Sequence, residues 1–207
     1  MTHGSAGVPP AKGWHSRGYV PHLDHPGLIQ SITFRLADAL PTSVIERLRQ
    51  SEPDDRRVLE RLEDYLNAGH GECLLRDPTH AQVVENALLH FDGQRYRLLA
   101  WVVMPNHVHV LIETQTGHAV ADAVQSWKSF TAKAINQALG RHGVLWQREY
   151  FDRYIRDERH LRAVMEYIDH NPVKAGLVKT TDDWRFGSAR LSGMPTMGAS
   201  ASRRQNS

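Results

Sequence analysis

Two histidines separated by one residue are the most informative candidates for chemistry in this 207-residue sequence. His107 and His109 lie in the run HVHVLIET, whose β-branched and apolar residues predict a strand. Side chains alternate between the two faces of a strand, so both imidazoles project from one face while Val108 and Val110 enter the other. Both rings could then approach one divalent cation. An ordinary β-hairpin with two exposed or core-edge histidines is the alternative that this spacing leaves open.

A helix predicted over residues 157–170 supplies further reactive groups. Tyr167 and Asn171 are four residues apart, so they lie one above the other beside the apolar stripe of that helix. His160 lies two turns earlier on the same flank. Pro172 is expected to end the helix, because proline cannot continue the hydrogen-bond ladder. The alternative roles are a core tyrosine for Tyr167 and a helix cap for Asn171.

The surrounding periodicity predicts the elements that must position these groups. Strands are expected at 28–36, 96–104 and 107–114, and helices at 43–50, 57–67, 78–92 and 119–139. The segment 145–157 reads either as a strand or as an irregular link. This order predicts an α+β domain with a ferredoxin-like antiparallel sheet and helices on one face.

Composition divides the chain into three parts. Residues 1–27 are rich in Gly, Pro, His and Ser and predict an irregular arm, residues 28–190 form the domain, and residues 191–207 are expected to be disordered. Residues 1–119 carry 11 basic and 14 acidic side chains, whereas residues 120–190 carry 12 and 9. This basic bias of the second half is compatible with a phosphate-rich partner, and equally with a solvated surface.

Other features exclude whole classes of protein. No run approaches the roughly 18 apolar residues that a membrane-spanning helix needs, and the first residues lack the apolar segment of a secretion signal. A cytoplasmic location without membrane contact is therefore expected. Cys73 is the lone cysteine, which excludes an internal disulfide and a CxxC metal site. Any metal must be held by nitrogen and oxygen atoms.

Two motif blocks together resemble a known family. MPNHVHVLIE, followed from residue 146 by WQREYFDRYIRDERHLRAVMEYIDHNPVKAGLV, is similar to the IS200-like single-tyrosine transposases of the HUH endonuclease type. The resemblance is closer to the REP-associated tyrosine transposases, and it covers roughly residues 18–186.

The resemblance implies a site and a reaction. The histidine–hydrophobic–histidine motif falls on His107 and His109, which with Asn171 would hold Mg²⁺ or Mn²⁺; related enzymes use the longer glutamine at the third position. The nucleophile falls on Tyr167, with Tyr150 and Tyr154 as rivals. Attack on a DNA phosphate would give a 5′-phosphotyrosine intermediate and a free 3′-hydroxyl, so the enzyme would cleave and rejoin strands.

The implied substrate is single-stranded or hairpin DNA of the REP palindrome type. Aromatic and basic residues alternate in the segment 146–156, a pattern that can stack bases and pair phosphates. The candidate DNA-binding residues are Arg148, Arg153, Arg156 and Lys174. The chain would act as a monomer or a homodimer. Two alternatives stay open: a DNA-binding module that has lost cleavage, and a metal-dependent phosphoesterase that uses activated water.

Overall fold

A four-stranded antiparallel sheet is the scaffold on which every candidate residue is placed. The computed structural model describes residues 14–16, 21–23, 27–51 and 55–192. The strands of the sheet are β3 (Ile29–Arg35), β4 (Tyr96–Val103), β5 (His107–Thr114) and β6 (Phe151–Tyr154), in the order β4-β5-β3-β6. Two shorter strands, β1 (Trp14–Ser16) and β2 (Pro21–Leu23), form a separate antiparallel pair. The rest of the predicted arm, and residues 193–207 of the predicted tail, lie outside the described residues.

Six α-helices connect and cover the strands in the described part of the chain. They are α1 (Thr42–Ser51), α2 (Asp55–Asn67), α3 (Pro78–His90), α4 (Val120–Ala138), α5 (Glu158–Lys174) and the short α6 (Ala189–Ser192). Along the chain the central elements follow the order β3-α3-β4-β5-α4-β6, and in the sheet β3 lies between β5 and β6. This is the ferredoxin-like arrangement. The predicted α+β class and antiparallel sheet are confirmed. Among the described helices, none combines the length and apolarity needed to cross a bilayer.

Local signals account for the edges of these elements. Asp77 caps α3 by accepting a hydrogen bond from the backbone N–H of Thr79 at 2.8 Å, and Pro78 occupies the first helical position. Gly140 follows α4 with φ 61°, a left-handed conformation that favours glycine. The ambiguous segment 145–157 contains the strand β6, which pairs with β3.

The helices cover both faces of the sheet rather than the single face that the sequence suggests. Val108, Val110 and Ile112 of β5 pack into the main core with α3 and α4. On the opposite face, Leu111 of β5 packs with Ile168 of α5 in a second, smaller core. Because β5 is buried on both faces, each face needs its own cover. The covering helix on the histidine face is α5.

Helix α5 also runs past the proline that was expected to end it. Pro172 is buried inside the helix, which continues to Lys174. The φ angle to which proline is restricted is compatible with an α-helix. Near the last turn, proline therefore removes one backbone hydrogen bond without forcing the chain out of the helical conformation. The helix ends at Ala175, whose N–H donates to the carbonyl of Asn171, and Gly176 follows with φ 69°. Asn171 is therefore a buried helical residue and not a terminal cap.

Tyr96, at the start of β4, connects α3 and α4 in the main core, and the contribution of its hydroxyl to stability can be tested. The Tyr96 hydroxyl donates to the carbonyl of Leu88 at 2.6 Å and accepts from Trp127 Nε1 at 2.9 Å. Replacement Tyr96→Phe leaves the buried indole N–H unpaired, so we expect the free energy of unfolding to fall by about 1–3 kcal/mol in urea titrations. Tyr154→Phe, which removes an exposed hydroxyl, is the matched control and should change stability by under about 0.5 kcal/mol. Equal effects would contradict this role.

Candidate active site

The two histidines of β5 lie side by side in the interior. The exposed fractions of His107 and His109 are 0% and 1%, and their ring centroids are 4.8 Å apart with the rings nearly perpendicular. Both project from the face that α5 covers, while Val108 and Val110 enter the main core. The structure therefore places both rings on one face, as the alternating pattern predicts.

Asn106, in the tight turn before β5, orients His107. Its side-chain amide Nδ2 donates to the carbonyls of Leu66 and His70, at 3.2 and 2.9 Å. Its Oδ1 is thereby directed at His107 Nδ1, 2.7 Å away, and must accept a hydrogen bond from the Nδ1–H. The tautomer of His107 with the proton on Nδ1 is the one that leaves the Nε2 lone pair facing the site.

His109 is held in the same way from the neighbouring strand. Thr33 of β3 lies opposite it in register, and its Oγ1 is 2.8 Å from His109 Nδ1. On the other side of the ring, Asn171 Nδ2 of α5 is 3.3 Å from Nε2. Both imidazoles thus present Nε2 toward the gap between β5 and α5.

Tyr167, one turn before Asn171, reaches the same gap. Its ring centroid is 5.5 Å from that of His109, and its hydroxyl donates to Glu63 Oε2 of α2 at 2.7 Å. Burial raises the pKa of the Tyr167 phenol, and the negative charge and hydrogen bond of Glu63 raise it further. The phenol is therefore neutral and oriented in the resting site. His107, His109, Tyr167 and Asn171 all come together within this chain.

Glu63 is the member of this site that sequence reasoning missed. Its Oε2 lies 3.4 Å from His109 Nε2 as well as beside the Tyr167 hydroxyl. Nothing local distinguishes Glu63 from its neighbours on the charged side of α2, such as Glu60 and Asp64. Its sequence distance of 104 residues from Tyr167 explains why only the folded chain shows the contact.

These side chains fit a divalent cation. One ligand atom each from Glu63, His107 and His109 lie within 4.8 Å of one another. His107 Nε2 and Asn171 Oδ1 are buried and have no hydrogen-bond partner among the described residues, a costly state unless something binds them. Imidazole nitrogens with carboxylate and amide oxygens are a donor set for Mg²⁺ or Mn²⁺ that keeps positions open. The chemistry of the donors and the two unpaired atoms therefore suit the expected metal.

Beside these residues runs an open groove of about 480 Å³, bounded by β3, β6, α2 and α5. His109, Tyr167 and His160 line it, so the predicted shared flank of His160 and Tyr167 is realised. Phe151 and Arg153 of β6 line it as well. A single strand of nucleic acid could enter such a groove beside the tyrosine.

The rival tyrosines belong to other surroundings. Tyr150 is buried in the main core, on the opposite side of the sheet. Tyr154 pairs in register with Gln30, and alternation from Thr33 and Phe151 places it on the face away from His109. Among these three tyrosines, Tyr167 is the one that shares the site with the histidines.

The four predicted DNA-binding residues do not form one cluster. Arg153 is exposed and lines the groove, and exposed Arg156 precedes His160, whose Nδ1 accepts from the Arg156 backbone N–H. Lys174 is ion-paired with Asp64 at 2.9 Å. Arg148 is exposed at a separate pocket with Lys128 and Tyr150. Of the four, Arg153 lines the groove that also contains Tyr167.

Comparison with known proteins finds a family match over the residues that carry this site. Residues 76–171 match the family described as Transposase IS200 like. That stretch includes His107, His109, Tyr167 and Asn171.

The chain is also similar to the REP-associated tyrosine transposases. It is 31% identical over 111 residues to the one from Escherichia coli (strain K12), covering 53% of this chain and 65% of that protein. A Haemophilus influenzae protein with the same, provisional description is 29% identical over 103 residues, covering 45% and 58%. The matched parts thus span less than two thirds of these relatives.

A solved structure shares the fold. The structure of a REP-associated tyrosine transposase bound to a REP hairpin superimposes with a TM-score of 0.55 at 22% identity, covering 93% of this chain and 99% of that one. The overall fold is therefore common to both chains.

Burial of the two imidazoles makes stability depend on pH. Desolvation lowers the pKa of His109, and it lowers that of His107 well below the ordinary value of 6.5. Below pH 6.5 the histidines of the unfolded chain bind protons, whereas the buried rings of the folded chain do not. The free energy of unfolding is therefore highest above pH 6.5, and it falls below that pH by up to about 1.4 kcal/mol per pH unit for each ring. We expect urea titrations of metal-free protein at pH 7.5 and 5.5 to show this loss. His107→Gln should flatten the slope, whereas exposed His142→Gln should preserve it.

The orientation of His107 by Asn106 is testable through metal affinity. Asn106→Ala removes the acceptor that holds the proton on Nδ1, so we expect the Mn²⁺ dissociation constant to rise by roughly 10–100-fold in calorimetric titrations. Circular dichroism establishes that the variant is folded. Asn86→Ala, at an exposed position on α3, is the control. Unchanged Mn²⁺ affinity in a folded Asn106→Ala protein would contradict the assignment.

Proposed function

We propose that this chain is a metal-dependent, single-strand DNA endonuclease and transposase that cleaves and rejoins REP-like hairpin DNA through a 5′-phosphotyrosine. The observation that carries the proposal is that Tyr167 lies beside His109 at one groove, with the buried imidazole of His107 next to that of His109. The similarity to REP-associated transposases supports the choice of DNA.

His107, His109 and Asn171 would hold a divalent cation, with Glu63 offering a further oxygen to the same position. Such a site supplies Lewis-acid polarisation of a phosphate when Mg²⁺ or Mn²⁺ is bound. The chain contributes the orientation of the ligands: Asn106 keeps the proton of His107 on Nδ1 and its Nε2 unprotonated, and Thr33 holds the Nδ1 side of His109.

Tyr167 is the proposed nucleophile. Its raised pKa keeps the phenol protonated until attack, and the Glu63 carboxylate that already accepts its hydrogen bond is placed to take the proton. The Tyr167 oxygen then bonds to phosphorus, the bond from phosphorus to the 3′-oxygen breaks, and the proton passes to the departing oxygen as a 3′-hydroxyl. Because the tyrosyl ester retains the bond energy, a 3′-hydroxyl can reverse the step and join strands.

The groove favours an unpaired strand as substrate. Phe151 offers a ring for stacking a base, and Arg153 and Arg156 offer charge for the backbone. A duplex would hold the same phosphate away from a half-buried phenol. A hairpin with a single-stranded flank provides such a strand beside a structured recognition element, and the solved structure that shares the fold is bound to a REP hairpin.

The nucleophile is tested with a 5′- and 3′-labelled REP-type hairpin, Mn²⁺ and denaturing gels. Wild-type protein should form a covalent adduct with the 5′-phosphate side, and Tyr167→Phe should reduce it by at least about 10³-fold while DNA affinity stays within about two-fold. Tyr154→Phe removes an exposed hydroxyl from the other face and should retain the adduct.

The same gels separate the two rival functions. A DNA-binding module without cleavage would bind the hairpin but leave it intact in wild-type protein. A phosphoesterase that activates water would cut it without a protein-linked product, and Tyr167→Phe would leave the cutting rate unchanged. Either result would overturn the proposed strand transfer.

A further inference from the structure

A buried arginine with unpaired nitrogens lies beside the candidate metal ligands. Arg35 ends β3, directly opposite His107 in the antiparallel register. The hydrogen bond from Leu36 N–H to the Asn106 carbonyl makes the Arg35–His107 pair a non-hydrogen-bonded one, in which side chains approach closely. The Arg35 charge is also one cause of the low pKa of His107. The guanidinium therefore lies on the histidine face, next to the first imidazole.

This guanidinium lacks the partners that a buried charge normally has. Arg35 is 2% exposed, and its Nε and Nη1 have no hydrogen-bond partner among the described residues. The guanidinium lies over the Phe151 ring, whose centroid is 4.9 Å from Arg35 Cζ. Burial lowers the pKa of Arg35 to about 10, against the opposing charges of Glu149 and Glu63. Arg35 thus remains a cation at neutral pH with two donors unused.

A bound anion would offset the free-energy cost of burying this guanidinium with unpaired donors. An arginine fork matches the oxygens of a phosphate, and buried charges in proteins are paired or hydrogen-bonded. The position is also suited to substrate, because Phe151 and Thr33 line the groove that leads to Tyr167. A structural ion pair within the chain would instead place a carboxylate on Nε or Nη1, and the described residues provide none.

We propose that Arg35 is a phosphate-binding site that takes one backbone phosphodiester of the nucleic acid strand in the groove. This inference rests on the proposed function and adds a residue that its mechanism does not use. Arg35 would act as a positioning residue: it holds a phosphate at the His107 end of the site, so that the strand passes Tyr167 in a fixed register. It lies outside the matched family residues 76–171.

The test observes the Arg35 Nε–H directly by ¹⁵N NMR, with the dinucleotide dTpdT as probe. The resonance is assigned by nuclear Overhauser contacts to the Phe151 ring, so the assignment needs no variant that must fold. We expect dTpdT to shift this resonance in a saturable way, and its uncharged methylphosphonate analogue to leave it in place. Arg35→Lys keeps the charge and should weaken dTpdT binding by roughly 10-fold, and Arg35→Met by more.

Arg162→Met is the matched control, because Arg162 is an exposed arginine of α5 that is not among the residues lining the groove. The Arg35 shift should persist in that variant. An Arg35 resonance that stays fixed while dTpdT saturates other groups, or one that shifts equally with the methylphosphonate, would overturn the proposal.

The outcome is distinguishable from that of the strand-transfer proposal. An Arg35 shift in a protein that forms no DNA adduct would leave the phosphate site standing without the cleavage chemistry. An adduct together with an unresponsive Arg35 would leave the transposase proposal standing and show that Arg35 is only a structural cation.

Discussion

The interior position of two imidazoles on β5 is the constraint on which the rest of the site depends. A buried imidazole is neutral, and each ring nitrogen needs a partner or a ligand. Asn106 and Thr33 satisfy the Nδ1 atoms, which leaves both Nε2 atoms directed toward α5. Asn106 can do this because its amide is anchored to backbone carbonyls after α2. The turn before β5 thus couples the metal-binding geometry to the packing of α2.

Charge is arranged around these rings from three elements. Glu63 of α2 brings a carboxylate to the phenol of Tyr167 on α5, and Arg35 of β3 brings a guanidinium to the side of His107. In this low-dielectric setting a carboxylate can receive a proton while unpaired donors attract an anion. The phenol, the carboxylate and the unpaired guanidinium therefore surround the same pair of imidazoles, and Tyr167 and Glu63 also line the open groove.

Several features of this architecture could be predicted from sequence because local rules govern them. Alternation along HVHVLIET placed His107 and His109 on one face, and the i, i+4 spacing placed Tyr167 above Asn171 on one side of a helix. The prediction that the helix ends at Pro172 is wrong. A proline near the last turn removes only one hydrogen bond, and the packing of α5 on β4 and β5 compensates for that loss. The prediction that all helices lie on one face of the sheet is also wrong. Periodicity indicates that a strand is buried, but it does not indicate which element covers each of its faces.

By itself, the sequence determined the class of fold, the face shared by the histidines and the spacing of the tyrosine and asparagine on their helix. Those features follow from hydrogen-bonding geometry over a few residues, which local side-chain patterns report. Only the tertiary structure decided that Glu63, Asn106 and Arg35 belong to the same site. Their roles arise from contacts between segments far apart in the chain, where the physical cause is burial next to a particular neighbour, and no local pattern distinguishes them from ordinary surface or turn residues.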